Sequence, residues 1–254
     1  MNAIANKKIG IMGAMLQEVA DIVAILDHKK EYHLGKRIFY TGLIRETEVV
    51  VVFSRWGKVA AATTVSTLIH SFNITELIFT GVAGAINNQL KIGDIVIGEK
   101  FFQHDMDARP IMKEFEIPLL GVQFFEVPKE KIHAIQNKIT PIFQNKRHYQ
   151  HFSDSDITTF GIQAPSIHIG DIASGDHFFS DAASKKNLQI KLPTILCVEM
   201  EGAAVAQVCD EHEIPYCIIR TISDEADEQS SVDFMSFANR IASKYSLLMI
   251  RQLI

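Results

Sequence analysis

Four valines and a phenylalanine stand in a row at residues 49–53. A run that is apolar on both of its alternating faces fits a strand covered on both sides by other elements. Similar short runs recur along the chain and alternate with longer stretches of helical periodicity. Residues 9–12 read as a strand, followed by a helix over about 16–26. Small and β-branched residues at helical spacing fill 58–72. Residues 76–80 read as another strand, ending in a small-residue turn at 81–85. Strands are expected at 92–98, with Gly93-Asp94 at the entry, and at 167–173, 194–198 and 216–221. A helix is expected over 202–213, and an amphipathic helix over about 233–253. This alternation predicts an α/β fold with a largely parallel central sheet. Length alone allows one domain or two. The absence of a composition break, a Gly/Ser/Pro-rich linker or an internal repeat favours one domain over 1–254.

Composition excludes several functions. Apolar residues make up 47% and charged residues 22%, the balance of a chain with a substantial core, and the net charge is −5. That field repels nucleic acid and acidic membrane surfaces. A basic stretch from Lys129 to His151 is interleaved with Ile132, Ile135, Ile139, Ile142 and Phe143, the pattern of a solvated helix face packed on a core rather than a nucleic-acid patch. No secretory signal opens the chain, and no segment has ~18 uninterrupted apolar residues. Cys197, Cys209 and Cys217 are odd in number, flanked by apolar residues and outside any zinc spacing. They read as buried reduced thiols of a cytoplasmic protein.

In open α/β sheets ligands sit where strands end and loops begin, and here those ends carry carboxylates. Glu18 opens the first expected helix, where a helix-terminal charge is the ordinary reading. Glu199 and Glu201 flank Met200 directly after a buried strand, a pairing that repels itself unless a ligand or partner uses it. Arg220 and Asp224 bracket Thr221-Ile222-Ser223, and a plain ion pair is the simplest account of them. The small residues 81–84 lack the P-loop and dinucleotide-binding spacings, so close backbone approach or tight packing explains them equally well. The His104-Asp105-Met106-Asp107 cluster has one histidine and no zinc spacing, so it reads as a hydrogen-bonded loop. No metal or cofactor is expected. There is no Gly-x-Ser-x-Gly elbow and no convincing Cys/His pair, which disfavours a covalent hydrolase.

Together these segments resemble the 5′-methylthioadenosine/S-adenosylhomocysteine nucleosidases of the purine nucleoside phosphorylase superfamily. The resemblance runs through residues 9–15 with Glu18, 57–62, 80–84, 92–96, 174–178, 198–201 and 220–224 in the family's order, while 109–163 match poorly. It implies a three-layer α/β/α sandwich, a homodimer, no cofactor, and hydrolysis that releases adenine. Cleaving an N-glycosidic bond builds positive charge on the ribose and negative charge on the purine. The base must be protonated and a water aimed at the anomeric carbon, the two-carboxylate logic of inverting glycosidases.

In that scheme Asp224 is the acid at adenine N7, held protonated by its surroundings and supported by Ser223. Glu18 is the base on the water, with Arg220 beside it. Glu201 takes a ribose hydroxyl, and Met200 packs beneath the sugar. Phe178 stacks on adenine and the backbone at Phe179 reads its edge. Met15, Trp56, Val82, Glu199 and Phe234 complete the substrate-binding set. Three departures stand out. Trp56 occupies the isoleucine position of the family's Ser-Gly-Ile-Gly-Lys, at the wall around the ribose and its 5′ substituent, and predicts a preference for methylthio over the longer homocysteinyl group. Val82 stands where a serine is usual and removes a hydroxyl. Ala108-Arg109-Pro110 replace the usual aliphatic and aromatic residues of the subunit contact. The competing readings are a phosphorylase, a nucleosidase for futalosine-type nucleosides or AMP, and a non-catalytic nucleoside-binding protein. Against the phosphorylase, the loop before Glu18 has no arginine for phosphate.

Overall fold

A computed structural model describes residues 7–144, 150–162 and 164–254. In chain order the elements begin with β1 (Lys8–Gly13), α1 (Leu16–Ala24), β2 (Asp27–Leu34), β3 (Arg37–Ile44), β4 (Thr47–Phe53), α2 (Lys58–Phe72) and β5 (Glu76–Ala85). The middle contains β6 (Ile95–Gln103), β7 (Phe125–Glu126), α3 (Lys129–Phe143), α4 (Asp154–Phe160) and β8 (Ile167–Ser174). The last third is α5 (Ala182–Lys191), β9 (Ile195–Glu199), α6 (Gly202–Glu211), β10 (Tyr216–Asp224), α7 (Ser230–Phe237), a π-helical turn (Ala238–Ala242) and α8 (Ser243–Leu253).

These elements form a three-layer α/β/α sandwich about one mixed sheet. The strand order is β10-β6-β8-β9-β5-β1-β4-β3-β2, with β7 on β6 and an additional pairing of β10 with β5. That additional pairing closes β5, β10, β6, β8 and β9 into a ring from which β1, β4, β3 and β2 extend. The centre is parallel: β1 pairs in parallel with β4 and β5, and β5 with β10. The antiparallel partners lie at β3 and β2, at β7, and where β6 meets β10 and β9 meets β5. Helices α1, α3 and α8 pack together in one layer, and α2 packs on α6 in the other. The sheet's central position explains the 49–53 run, since Val49, Val50, Val51 and Val52 are all buried.

The structure departs from the sequence expectation at several places: the strand expected at 92–98 is β6 at Ile95–Gln103, and helices α4 and α5 were not expected. Residues 81–85 do not turn but continue β5 to Ala85, with every residue buried. The C-terminal amphipathic stretch is α7, a π-helical turn and α8 rather than one regular helix. The hairpin of β2 and β3 was not anticipated. Its turn uses Gly35 and Lys36, both at positive φ (54° and 59°), the geometry that suits a two-residue hairpin loop. Strand β2 is exposed throughout, so no apolar alternation marked it. The basic stretch forms α3, whose Ile132, Ile135, Ile139, Ile142 and Phe143 are buried as its spacing predicted. Its 145–149 portion lies outside the described residues, as does Gln163 at the end of the poorly matching 109–163 segment. The three cysteines are free and buried, and burial pushes the thiols of Cys209 and Cys217 up to about 12. Among the described residues no helix is long and apolar enough to cross a membrane.

Candidate active site

The C-terminal ends of β1, β5, β9 and β10 surround a cavity. Its charged groups lie over the small residues of β5. At Gly81 an added Cβ would stand 2.8 Å from Glu18 Oε1 and 3.2 Å from Arg220 Nη1; at Gly84 it would stand 2.8 Å from Asp224 Oδ1. The strand needs glycine there because two carboxylates and a guanidinium press on its backbone.

Glu18, in the first turn of α1, is buried. Its Oε2 accepts from the backbone N–H of Ala14 (2.6 Å) and Met15 (2.9 Å), and Oε1 accepts from Val82 N–H (3.0 Å). The first two bonds are the helix-terminal role expected of Glu18 alone. The third fastens the carboxylate across to β5. Burial, the largest influence, raises its pKa, while Arg220 and the three N–H groups pull it down. The carboxyl therefore holds a proton more readily than an ordinary glutamate does.

Arg220 sits over Phe79, with its guanidinium carbon 3.9 Å from the ring centroid. It does not pair with Asp224. Its Nη2 meets Glu199 Oε2 at 2.6 Å, with both side chains buried. Glu199 is saturated by protein: its oxygens also accept from Ser174 Oγ and from the backbone N–H of Glu201 (3.2 Å) and Gly202 (2.9 and 2.8 Å). Ser174 Oγ in turn accepts from Ala203 N–H at 2.7 Å. Glu199 therefore caps α6 and holds Arg220, which offsets part of the self-repulsion expected of the Glu199-Met200-Glu201 pattern. Glu201, by contrast, accepts from Gly57 N–H at 2.8 Å. Burial, then the nearby Glu199 charge, push its pKa up to about 8, against the pull of Arg220.

Asp224 ends β10 after a register shift between Ile222 and Asp224. Ser223 is the extra residue, and such bulges re-aim side chains next to functional sites. Asp224 Oδ2 receives Ser223 Oγ–H at 2.7 Å, and Oδ1 receives Ala226 N–H at 3.0 Å. Ser223 Oγ also lies 3.4 Å from the carbonyl of Ala83. Ser223 Oγ–H can thus donate to Asp224 Oδ2 or turn to the Ala83 carbonyl, which leaves an Asp224 proton free for a ligand. Burial raises the Asp224 pKa most, with Ser223, Ala226 and Ser230 opposing it.

Met15, Glu18, Trp56, Val82, Phe178, Phe179, Glu199, Met200, Glu201, Asp224 and Phe234 all face the cavity. Arg220 and Ser223 stand behind them, touching Glu199 and Asp224. Phe234 bridges two neighbours edge-on, Trp56 at 5.7 Å and Phe178 at 5.6 Å between ring centroids. Phe179 lies between His104 (5.2 Å) and His177 (5.5 Å). The sequence assigned no role to Ala14, Gly57 or Ala226, which act through backbone N–H groups, nor to Ser174, whose partner Glu199 is 25 residues away. The His104-Asp105-Met106-Asp107 residues go to separate partners: Asp105 meets Lys58 at 2.5 Å and Asp107 meets Arg109 at 2.6 Å.

The sequence profile of the phosphorylase superfamily matches residues 8–254. The aminodeoxyfutalosine nucleosidase of Helicobacter pylori strain J99 is 32% identical over 240 residues, which cover 93% of this chain and 94% of that protein. Futalosine hydrolase of Helicobacter pylori strain 26695 matches in structure with a TM-score of 0.83 at 30% identity, covering 99% of each chain. The S. pneumoniae 5′-methylthioadenosine/S-adenosylhomocysteine nucleosidase, solved with a transition-state inhibitor, matches at a TM-score of 0.80 and 32% identity, covering 97% of this chain and 100% of that one. The chain belongs to the phosphorylase superfamily, among its nucleosidases. It is an N-glycosidic hydrolase.

Proposed function

We propose that the chain hydrolyses the adenine–ribose bond of adenosines bearing a 5′ thioether, 5′-methylthioadenosine and S-adenosylhomocysteine among them. The observation that carries this reading is a pair of buried carboxyls over separate stretches of β5, Glu18 at Gly81 and Asp224 at Gly84. Asp224 gives its proton to N7 as the bond to the anomeric carbon lengthens, and the electron pair leaves with adenine. Glu18 takes a proton from water, whose oxygen bonds to that carbon. Arg220 steadies the Glu18 charge, Glu199 fixes Arg220, and Glu201 accepts from a ribose hydroxyl and stabilises positive charge on the ring. Met200 and Met15 pack on the sugar, Phe178 covers the base, Phe179 offers its backbone, and Val82 supplies an N–H instead of a side-chain hydroxyl.

Water rather than phosphate is supported by the Glu18 carboxylate, since phosphate beside it would be repelled. A second reading, an aminodeoxyfutalosine-type substrate, is favoured by the half-exposed indole of Trp56 (50%) at the cavity rim, which replaces an aliphatic wall with a flat one. Adenine release from a panel of 5′-substituted adenosines in phosphate-free buffer separates the readings. In this account the working form is a homodimer in the reducing cytoplasm, and residues 1–254 are one domain.

A further inference from the structure

We propose that Lys58 is a positioning residue: its ammonium closes a ring of hydrogen bonds across three strand-end loops, and the ring holds the main-chain N–H that binds Glu201. This rests on the adenosine-hydrolysing reading above, in which Glu201 takes a ribose hydroxyl. Gly57 and Lys58 open α2, where a helix leaves its first N–H groups without partners of its own. Both go to carboxylates: Gly57 N–H to Glu201 Oε1 at 2.8 Å and Lys58 N–H to Asp176 Oδ1 at 2.8 Å. The Lys58 side chain then completes a circuit. Its Nζ donates to Asp105 Oδ1 at 2.5 Å, Asp105 Oδ2 accepts from Asp176 N–H at 2.9 Å, and the Asp176 carboxylate returns to Lys58 N–H. The loops after β4, β6 and β8 are thereby fastened to one another. Helix α6 is attached through Gln103, whose Oε1 accepts from Lys58 Nζ at 3.2 Å and whose Nε2 donates to Gln207 Oε1 at 2.7 Å.

An exposed ion pair does little for stability, but this one is half shielded and ties down main chain. The Lys58 and Asp105 side chains are 16% and 31% exposed. Arg55, three residues before Lys58, sits at φ 76°, a conformation that persists only where the surroundings impose it. Any Cβ at position 57 would stand 2.9 Å from Asp176 Oδ1, so the ring closes directly on the Gly57 backbone. Neither Lys58 nor Asp105 lines the cavity, whereas Glu201 and Phe178, two residues beyond Asp176, both do. Lys58 therefore acts through them. Burial and the Glu199 charge raise the Glu201 pKa, and the Gly57 N–H opposes them. With the ring broken that N–H is no longer held in place, and Glu201 keeps its proton to higher pH.

The test is the pH dependence of kcat/KM for 5′-methylthioadenosine in the wild type, K58M and D105A, with E201Q marking the limb that belongs to Glu201. The other charges facing Glu201, namely Glu199, Arg220 and Glu18, are the same in the first three proteins. Burial would raise the Asp105 pKa, but Lys58 and the Asp176 N–H hold it below the usual carboxylate range, so Asp105 stays charged throughout. Charge acting through space would shift the limb in opposite directions, because K58M removes a cation and D105A an anion. A broken ring shifts it the same way in both. The limb should move up by about one pH unit in each variant, a tenfold weaker hold on the charged carboxylate, with kcat/KM at pH 7 down about tenfold. Limbs that stay in place, or move apart, overturn the proposal and leave the hydrolytic reading standing. Should D105A not fold, Trp56 decides. It is the chain's one tryptophan and precedes Gly57, so its emission anisotropy should fall in K58M; an anisotropy equal to the wild type's overturns the ring. A wild type that releases adenine from no 5′-substituted adenosine overturns the reading on which this inference rests, whatever the variants do.

Discussion

Each carboxyl at the site owes its state to particular neighbours. Glu18 has three backbone N–H donors and Arg220 working against its burial. Removing the charge while keeping the shape isolates its role: E18Q should lose about 10²–10⁴ in kcat yet still bind a 5′-thio nucleoside analogue in calorimetry. Loss of folding instead would mean that holding the start of α1 is its main task. Glu201, pushed up to about 8, titrates near neutrality without ligand. E201Q should therefore flatten the rise of KM at low pH, read from kcat/KM between pH 6 and 9, because a protonated Glu201 accepts a ribose hydroxyl less well. At this scale the sequence was partly legible. Carboxylates at strand ends drew attention on chemistry alone, but their roles came with the resemblance. Residue spacing could not show that Glu199 is occupied by Arg220, Ser174 and the α6 N-terminus, since those partners meet only in the folded chain.

At the scale of elements, β5 is the strand against which both reacting carboxyls rest. Its glycines are three residues apart, about 10 Å of strand, with the base over one and the acid over the other. An alanine at either position puts a methyl carbon 2.8 Å from a carboxylate oxygen. G84A should lower kcat about a hundredfold, the scale for a reacting group displaced by about 1 Å, while circular dichroism keeps the wild-type fold. A G84A enzyme with wild-type kcat would show that Asp224 is not held by β5. The misreading of 81–85 as a turn has the same origin: small residues suggested a bend, but they are small because side chains press on the strand. Residues 49–53 and α2 were legible because burial and helical spacing determine them locally. Strand β2, exposed along its length, carries no such signal.

For the whole molecule, the raised carboxyls link stability to pH. Glu18, Glu201 and Asp224 all bind protons more tightly when folded than their ordinary values of 4.5, 4.5 and 3.8. Between those values and the raised ones the folded state holds more protons than the unfolded chain, so stability falls as pH rises. The free enzyme should lose Tm from pH 6 to pH 8, by about 4 °C or more, and E201Q should lose less; a Tm that climbs over this range in both would contradict the site's electrostatics. The proposed homodimer is checked by light scattering, where a mass near twice 28.5 kDa is expected. The central claim is that water, activated by Glu18, displaces an adenine protonated by Asp224. Its most direct test is adenine release from 5′-methylthioadenosine, with and without phosphate, by the wild type and D224N. The account predicts equal wild-type rates in both buffers and a loss of about 10²–10⁴ in D224N. A wild-type rate that requires phosphate, or a D224N protein as fast as its parent, would contradict it.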